Sequence, residues 1–114
     1  MGIPLTEFIE NIEGEILTPA VKMDGITIED GYVSDLLSDV MGNARENQAW
    51  ITIMKHLNSV AVASLVNIPC VVFAKGVKPD KDVISRAETE NVCLITTPLS
   101  SFEVAGKLYK LLHD

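Results

Sequence analysis

The chain has 114 residues, 47% of them hydrophobic, and 16 Asp and Glu against 9 Lys and Arg give a net charge of −7. That length suits one ordinary domain, and a domain of this size buries roughly two-thirds of its unfolded surface without metal or disulfide staples. The acidic balance argues against a general binder of nucleic-acid backbone, which needs a broad basic face, and 5% aromatic residues make a poor base-stacking platform.

Met1 to Glu10 carry no basic segment and no long apolar stretch, so no signal peptide is expected. Leu5, Phe8, Ile9 and Ile12 recur at helical spacing, and Gly14 follows as a stop. Glu15-Ile16-Leu17-Thr18 is short and β-compatible. Turns are predicted at Asp24-Gly25 and Asp30-Gly31, with a strand at Ile26-Thr27-Ile28 between them. Val33, Leu36, Leu37, Val40 and Met41 then resume helical spacing, with Ser34 as the cap and Gly42-Asn43 near the end.

The second half is more regular. Ala49 to Ile53 consists mainly of β-formers, and Leu57 to Asn67 is a helix-length segment apolar on nearly every side, which predicts burial all round. Cys70 to Ala74 and Val92 to Thr96 read as buried strands, and Pro79 as the first residue of the helix between them. Asp80 and Asp82 suit that helix's electropositive first turn, and Val83, Ile84 and Ala87 its inner face. Ser100 and Glu103 have capping-box spacing, with Leu99 and Val104 as the staple. Phe102, Ala105, Leu108, Tyr109 and Leu112 are then expected on one buried face. Strand–helix units in series with near-continuous apolar strands predict an α/β fold, a mainly parallel sheet with helices on its faces.

Cys70 and Cys93 sit inside apolar runs and read as buried, reduced thiols rather than a disulfide. The longest mainly apolar run, Val60 to Val66, is far shorter than the roughly 20 residues of a membrane span. A cytoplasmic domain without membrane contact is therefore expected.

Ligands of an open parallel sheet bind beyond the carboxyl ends of its strands. Three loops qualify: Met54 to Ser59, Lys75 to Pro79, and Thr96 to Ser101. Each precedes a helix whose first N–H groups are free for an anion. The candidate ligand-binding residues are Lys55, His56, Asn58, Gly76, Lys78, Thr96, Thr97 and Ser100. His56 is either a helix cap or a general base or phosphate contact, and Asn58 or Ser59 is a natural cap for the buried helix. Lys75 and Lys78 are either solvated lysines or phosphate ligands, and Gly76 marks a turn needing positive φ. Thr96, Thr97 and Ser101 have no paired base nearby in sequence, which argues against a nucleophilic role. Asp35 and Asp39, four apart, are expected to share a solvated helix face. His113 is nearly terminal and carries no functional expectation. No nucleotide-binding, hydrolase or zinc motif occurs, so no catalytic residue, metal or cofactor is expected.

The runs Gly31-Tyr32-Val33-Ser34-Asp35-Leu36-Leu37-Ser38-Asp39-Val40-Met41 and Trp50-Ile51-Thr52-Ile53 carry a family resemblance. So do His56-Leu57-Asn58-Ser59-Val60-Ala61-Val62-Ala63, Gly76-Val77-Lys78-Pro79, and Thr97-Pro98-Leu99-Ser100-Ser101-Phe102-Glu103-Val104-Ala105-Gly106. From about Leu5 to Leu112 the chain resembles a stand-alone DRTGG domain, similar in fold to the amino-terminal domain of HPr kinase/phosphorylase. Related domains accompany CBS pairs in regulated family II pyrophosphatases and occur in some phosphotransacetylases, as accessory modules. The Asp-Arg-Thr-Gly-Gly signature itself is absent, and Met54-Lys55-His56-Leu57-Asn58 stands where phosphotransacetylase-type members carry a Gly-Asp-Arg-like stretch.

The resemblance implies one domain over residues 1–114, a non-catalytic regulatory or ligand-sensing module, expected as a homodimer. Its ligand would be a small anion or nucleotide, with no direct contact to nucleic acid. A protein-interaction module without small ligand is the alternative, its acidic face suiting a basic partner. A phosphoryl- or acyl-transfer enzyme, with His56 as acid/base, is the third.

Overall fold

Three strands that are buried along their whole length run through the middle of the structure, a computed structural model that describes residues 2–114. The chain begins with β1 (Ile3–Pro4), α1 (Leu5–Asn11), β2 (Glu15–Ile16), β3 (Thr27–Ile28), β4 (Asp30–Val33) and α2 (Leu37–Asn43). It continues through β5 (Gln48–Thr52), α3 (Leu57–Val66), β6 (Cys70–Phe73), α4 (Lys81–Thr89), β7 (Cys93–Thr96) and α5 (Ser101–His113). The main sheet has the order β2-β7-β6-β5-β4; β4 to β7 are parallel and β2 lies antiparallel to β7. β1 and β3 form a small antiparallel ladder apart from it.

The architecture is α/β, as expected from the strand–helix alternation. Strands β4 to β7 are neighbours in chain order, and each parallel step is made through a helix. Period-two alternation in the buried strands divides the core into two layers. Ala49, Ile51, Cys70, Val72, Cys93 and Ile95 pack with Leu5, Phe8, Ile9 and Ile12 from the start of the chain and Val104 and Leu108 of α5. Trp50, Val71, Phe73 and Leu94 pack on the other side with Val40 of α2, Val60, Val62 and Ala63 of α3, and Val83 and Ala87 of α4. Cys70 and Cys93 are register partners across β6 and β7, and both are buried free thiols.

Several local expectations are corrected. Asp30-Gly31 opens β4 rather than making a turn: Asp30 accepts from Gln48 Nε2 at 2.8 Å, in register with Gln48 of β5. Glycine at position 31 answers to close packing, since a Cβ there would come within 2.8 Å of Leu108 Cδ2 on α5. Val33 belongs to β4, and α2 starts at Leu37 with Leu36 as its N-cap. The Ser34 hydroxyl closes a short turn by accepting from the Leu36 N–H at 3.2 Å. Residue 35 is thereby outside the helix, so Asp35 and Asp39 do not share a helical face.

α4 begins after Pro79, with Asp80 as N-cap, because Val77 is held in a turn by its N–H to Ala74 O and by Thr96 Oγ1 on its carbonyl. α3 is not buried all round: Leu57, Ala61 and Leu65, four apart, face solvent. On α5 the inward face is Val104 and Leu108, whereas Phe102 and Tyr109 are exposed. The capping-box signal was a sound guide to where α5 begins; the aromatic residues were a poor guide to its inner side.

Candidate functional site at the carboxyl edge of the sheet

The parallel strands end at Val33, Thr52, Phe73 and Thr96, and the loops that follow form one edge of the sheet. Asp35 organises the first. Its Oδ1 accepts from Thr52 Oγ1 at 2.7 Å and from the Ile53 N–H at 2.9 Å, tying the end of β4 to the end of β5. Trp50 Nε1 donates to Ser34 O at 2.8 Å from beneath. Tyr32 donates to Asp39 at 2.9 Å. Hydrogen bonds from Ser34 and then Tyr32 hold the Asp39 carboxyl below its ordinary range, and the Asp39 acceptor raises the Tyr32 phenol.

His56 caps α3. Its Nδ1 accepts from the Asn58 N–H at 3.1 Å, so a neutral imidazole carries its proton on Nε2 and presents a donor outward. The expectation of Asn58 or Ser59 as the cap is thus corrected: Asn58 contributes its backbone, and Ser59 Oγ donates to Met54 O at 2.6 Å. Lys55 is exposed beside them.

Gly76, Lys78, Thr96 and Thr97 do come together. They line a cleft of about 230 Å³ with Glu13, Glu15 and Pro98. Lys75 and Gly76 have φ of 60° and 71°, and both of their N–H groups are used, on Leu99 O at 2.8 Å and Thr97 O at 2.7 Å. Thr96 Oγ1 donates to Val77 O at 2.7 Å, and Thr97 Oγ1 donates to Ile12 O at 2.5 Å. Lys78 Nζ lies 3.2 Å from Glu15 Oε1, with both side chains more than half exposed. Such a pair is worth at most about 1 kcal/mol and exchanges readily.

Ser100 stands apart at the start of α5. Its Oγ accepts from Glu103 N at 3.1 Å while Glu103 Oε1 accepts from Ser100 N at 3.0 Å. The Ser100 N–H, followed by its hydroxyl, holds the Glu103 carboxyl below its usual value. The helix terminus that an anion would take is therefore filled by the chain's own carboxylate. Among the described residues every buried side-chain N and O has a hydrogen-bond partner, and no cluster of three His, Cys, Asp or Glu side chains could hold a metal.

Two groups escaped sequence reasoning. Glu15 reaches the cleft because β2 turns back along β7, a pairing that a two-residue strand does not announce. The signal for Asp35 is its place directly after the β4 strand, since a polar residue just past a parallel strand belongs to this edge.

The chain matches the family model described as HPr serine kinase N terminus over residues 43–112. No curated protein matches it in sequence. In structure it is similar to the CBS and DRTGG domains of the regulatory region of Clostridium perfringens pyrophosphatase, crystallised with the activator diadenosine tetraphosphate. That likeness has a TM-score of 0.73 at 17% identity and covers 91% of this chain but 46% of the other. It supports the DRTGG-type fold expected from the sequence, and this chain spans less than half of that regulatory region.

Proposed function

The chain belongs to the HPr serine kinase N-terminus family, and from that premise we propose that it is a non-catalytic regulatory domain sensing a small anionic ligand of the nucleotide class. The ligand lies in the cleft of Gly76, Lys78, Thr96 and Thr97, and a phosphate replaces Glu15 at Lys78. Lys75, Lys55 and the Nε2 donor of His56 extend the basic rim along the same edge. Thr96 and Thr97 shape the loops rather than bind, because their hydroxyl protons are spent on Val77 O and Ile12 O, whereas Ser100 Oγ accepts from the Glu103 N–H in its capping box.

The observation that carries this reading is the exposed Lys78–Glu15 pair at the lip of the cleft. It supplies a cation whose present partner is cheap to displace. The hydrogen bonding of the edge speaks against turnover, since Asp35, Thr96 and Thr97 are tied into the frame. No helix among the described residues is long and apolar enough to cross a membrane.

Titration calorimetry with inorganic phosphate, adenosine nucleotides and diadenosine tetraphosphate tests the proposal. Binding is expected to weaken about 10- to 100-fold in Lys78→Ala, the range for losing one charge-assisted contact. Folded protein that binds none of these at millimolar concentration overturns it.

A further inference from the structure

We infer that the outer edge of β4 takes up an extended segment of a partner protein, alternating apolar and basic residues, as a sixth strand of the main sheet. This edge lies at the other end of the sheet from the Lys78 cleft, and the inference does not depend on that site. Among the described residues β4 ends the sheet, paired in parallel with β5 over Asp30–Val33 and with no strand on its other side. The Ser34 N–H donates inward to Ile51 O at 3.3 Å. By strand parity Tyr32 also bonds inward, so the N–H and C=O groups of Gly31 and Val33 point away from the sheet. Such groups are a template for main-chain pairing. The opposite edge offers no equal: β2 has two residues, and Glu15 there pairs with Lys78.

Side chains on the two faces of the edge specify the segment. Gly31 and Val33 are in register with Ala49 and Ile51, on the face that α5 covers. There β4 and α5 bound a cleft of about 130 Å³, lined by Val33, Ile51, Ala105, Leu108 and Leu112 among others. Val33 is still 53% exposed, so a residue of the added strand that faces α5 finds an aliphatic socket beside it. On the other face Asp30 is exposed, and its Oδ2 accepts from Nε2 of the buried Gln48 at 2.8 Å, which fixes the carboxylate at the rim. A lysine or arginine across from Asp30 makes a cross-strand ion pair. A net charge of −7 also favours a basic partner over a second copy of the same chain.

Fluorescence anisotropy of the full chain with a labelled hexapeptide of alternating valine and lysine tests the inference, against a valine–glutamate hexapeptide. The valine–lysine peptide is expected to bind about tenfold more tightly or better. Methylating the amide nitrogens of one alternate set of its residues is expected to weaken binding about tenfold or more, and of the other set to leave it unchanged, because only one set faces β4. Val33→Pro deletes an N–H that points outward, so the fold keeps its bonds while the peptide loses one. Ala105→Phe fills the cleft from α5 and should weaken binding independently, with the far-ultraviolet spectrum of both variants unchanged. Asp30→Asn should cost up to about fivefold. Binding that ignores both methylated sets and Val33→Pro is attraction by charge alone and overturns the added strand, as does no binding at millimolar peptide. A dimer in sedimentation equilibrium that Val33→Pro dissolves gives the edge to a second copy and overturns the partner. None of these results alters the phosphate titration at Lys78.

Discussion

At the carboxyl edge, hydroxyls, carboxylates and lysines crowd the loops after β4 to β7, yet Asp35, Thr96, Thr97 and Glu103 are bound to the domain's own frame. On the outer face of α3 a ten-residue helix offers no charge, and Leu65 is left 67% exposed. The contrast separates polarity from availability. A polar group signals binding only when its hydrogen-bonding capacity is unspent, and an apolar group only when it is uncovered. By that measure the edge is mainly architecture with a few free cations, and the outer stripe of α3 is uncovered surface.

Substitutions can break or sharpen this contrast, beginning with the residue that joins the two regions. Trp50 is fully buried on the α3 side of the sheet and reaches Ser34 O with its indole. Trp50→Ala should cost about 3–5 kcal/mol in urea unfolding, the usual range for a deleted core aromatic; a loss under about 1 kcal/mol would show that the two regions are not joined through it. Thr97→Val keeps the shape at the edge but removes the bond to Ile12 O. A loss of about 1–3 kcal/mol is expected for the stranded carbonyl, and an unchanged midpoint would return Thr97 to the pool of free ligand groups.

The far side of the sheet supplies a pH probe. Burial raises the Cys93 thiol to about 11, against an ordinary value of 9.0, and raises Cys70 well above it, desolvation being the leading cause for both. A thiol raised on folding stabilises fully below its unfolded value and loses that contribution as pH climbs through the folded one. Thermal melts should therefore fall between pH 9 and about 11, and the drop should shrink in Cys93→Ala. The smallest effect belongs to α3: Leu65→Gln, at a position 67% exposed, should change monomer stability by less than about 0.5 kcal/mol. A larger loss would mean that Leu65 already has a partner within the fold.

Where sequence and structure agree, one dominant signal governs. The capping box of Ser100 and Glu103 combines two side-chain bonds with a helical pattern, and the structure reproduces both bonds. Buried strands such as Cys70 to Phe73 announce themselves by apolarity alone. Where they part, two signals compete. Gly31 satisfies a turn rule and a close-packing rule equally, and only the approach of Leu108 decides between them. Phe102 and Tyr109 are seven apart, so helical periodicity groups them with Leu108 although they point outward. The cleft was legible in part, as Gly76, Lys78, Thr96 and Thr97 meet there, but Glu13 and Glu15 arrive from a distant segment whose pairing leaves no local trace.

The two helices that cover the cysteine side of the sheet come from opposite ends of the described chain, α1 from Leu5–Asn11 and α5 from Ser101–His113. Because α5 follows both cysteines in the chain, its half of their cover is expected to be missing during synthesis until α5 has emerged. The thiols are shut away in the folded domain. Alkylating reagents applied to stalled chains and to the released protein would thus report the moment when α5 docks, with the cysteines serving as a clock for folding.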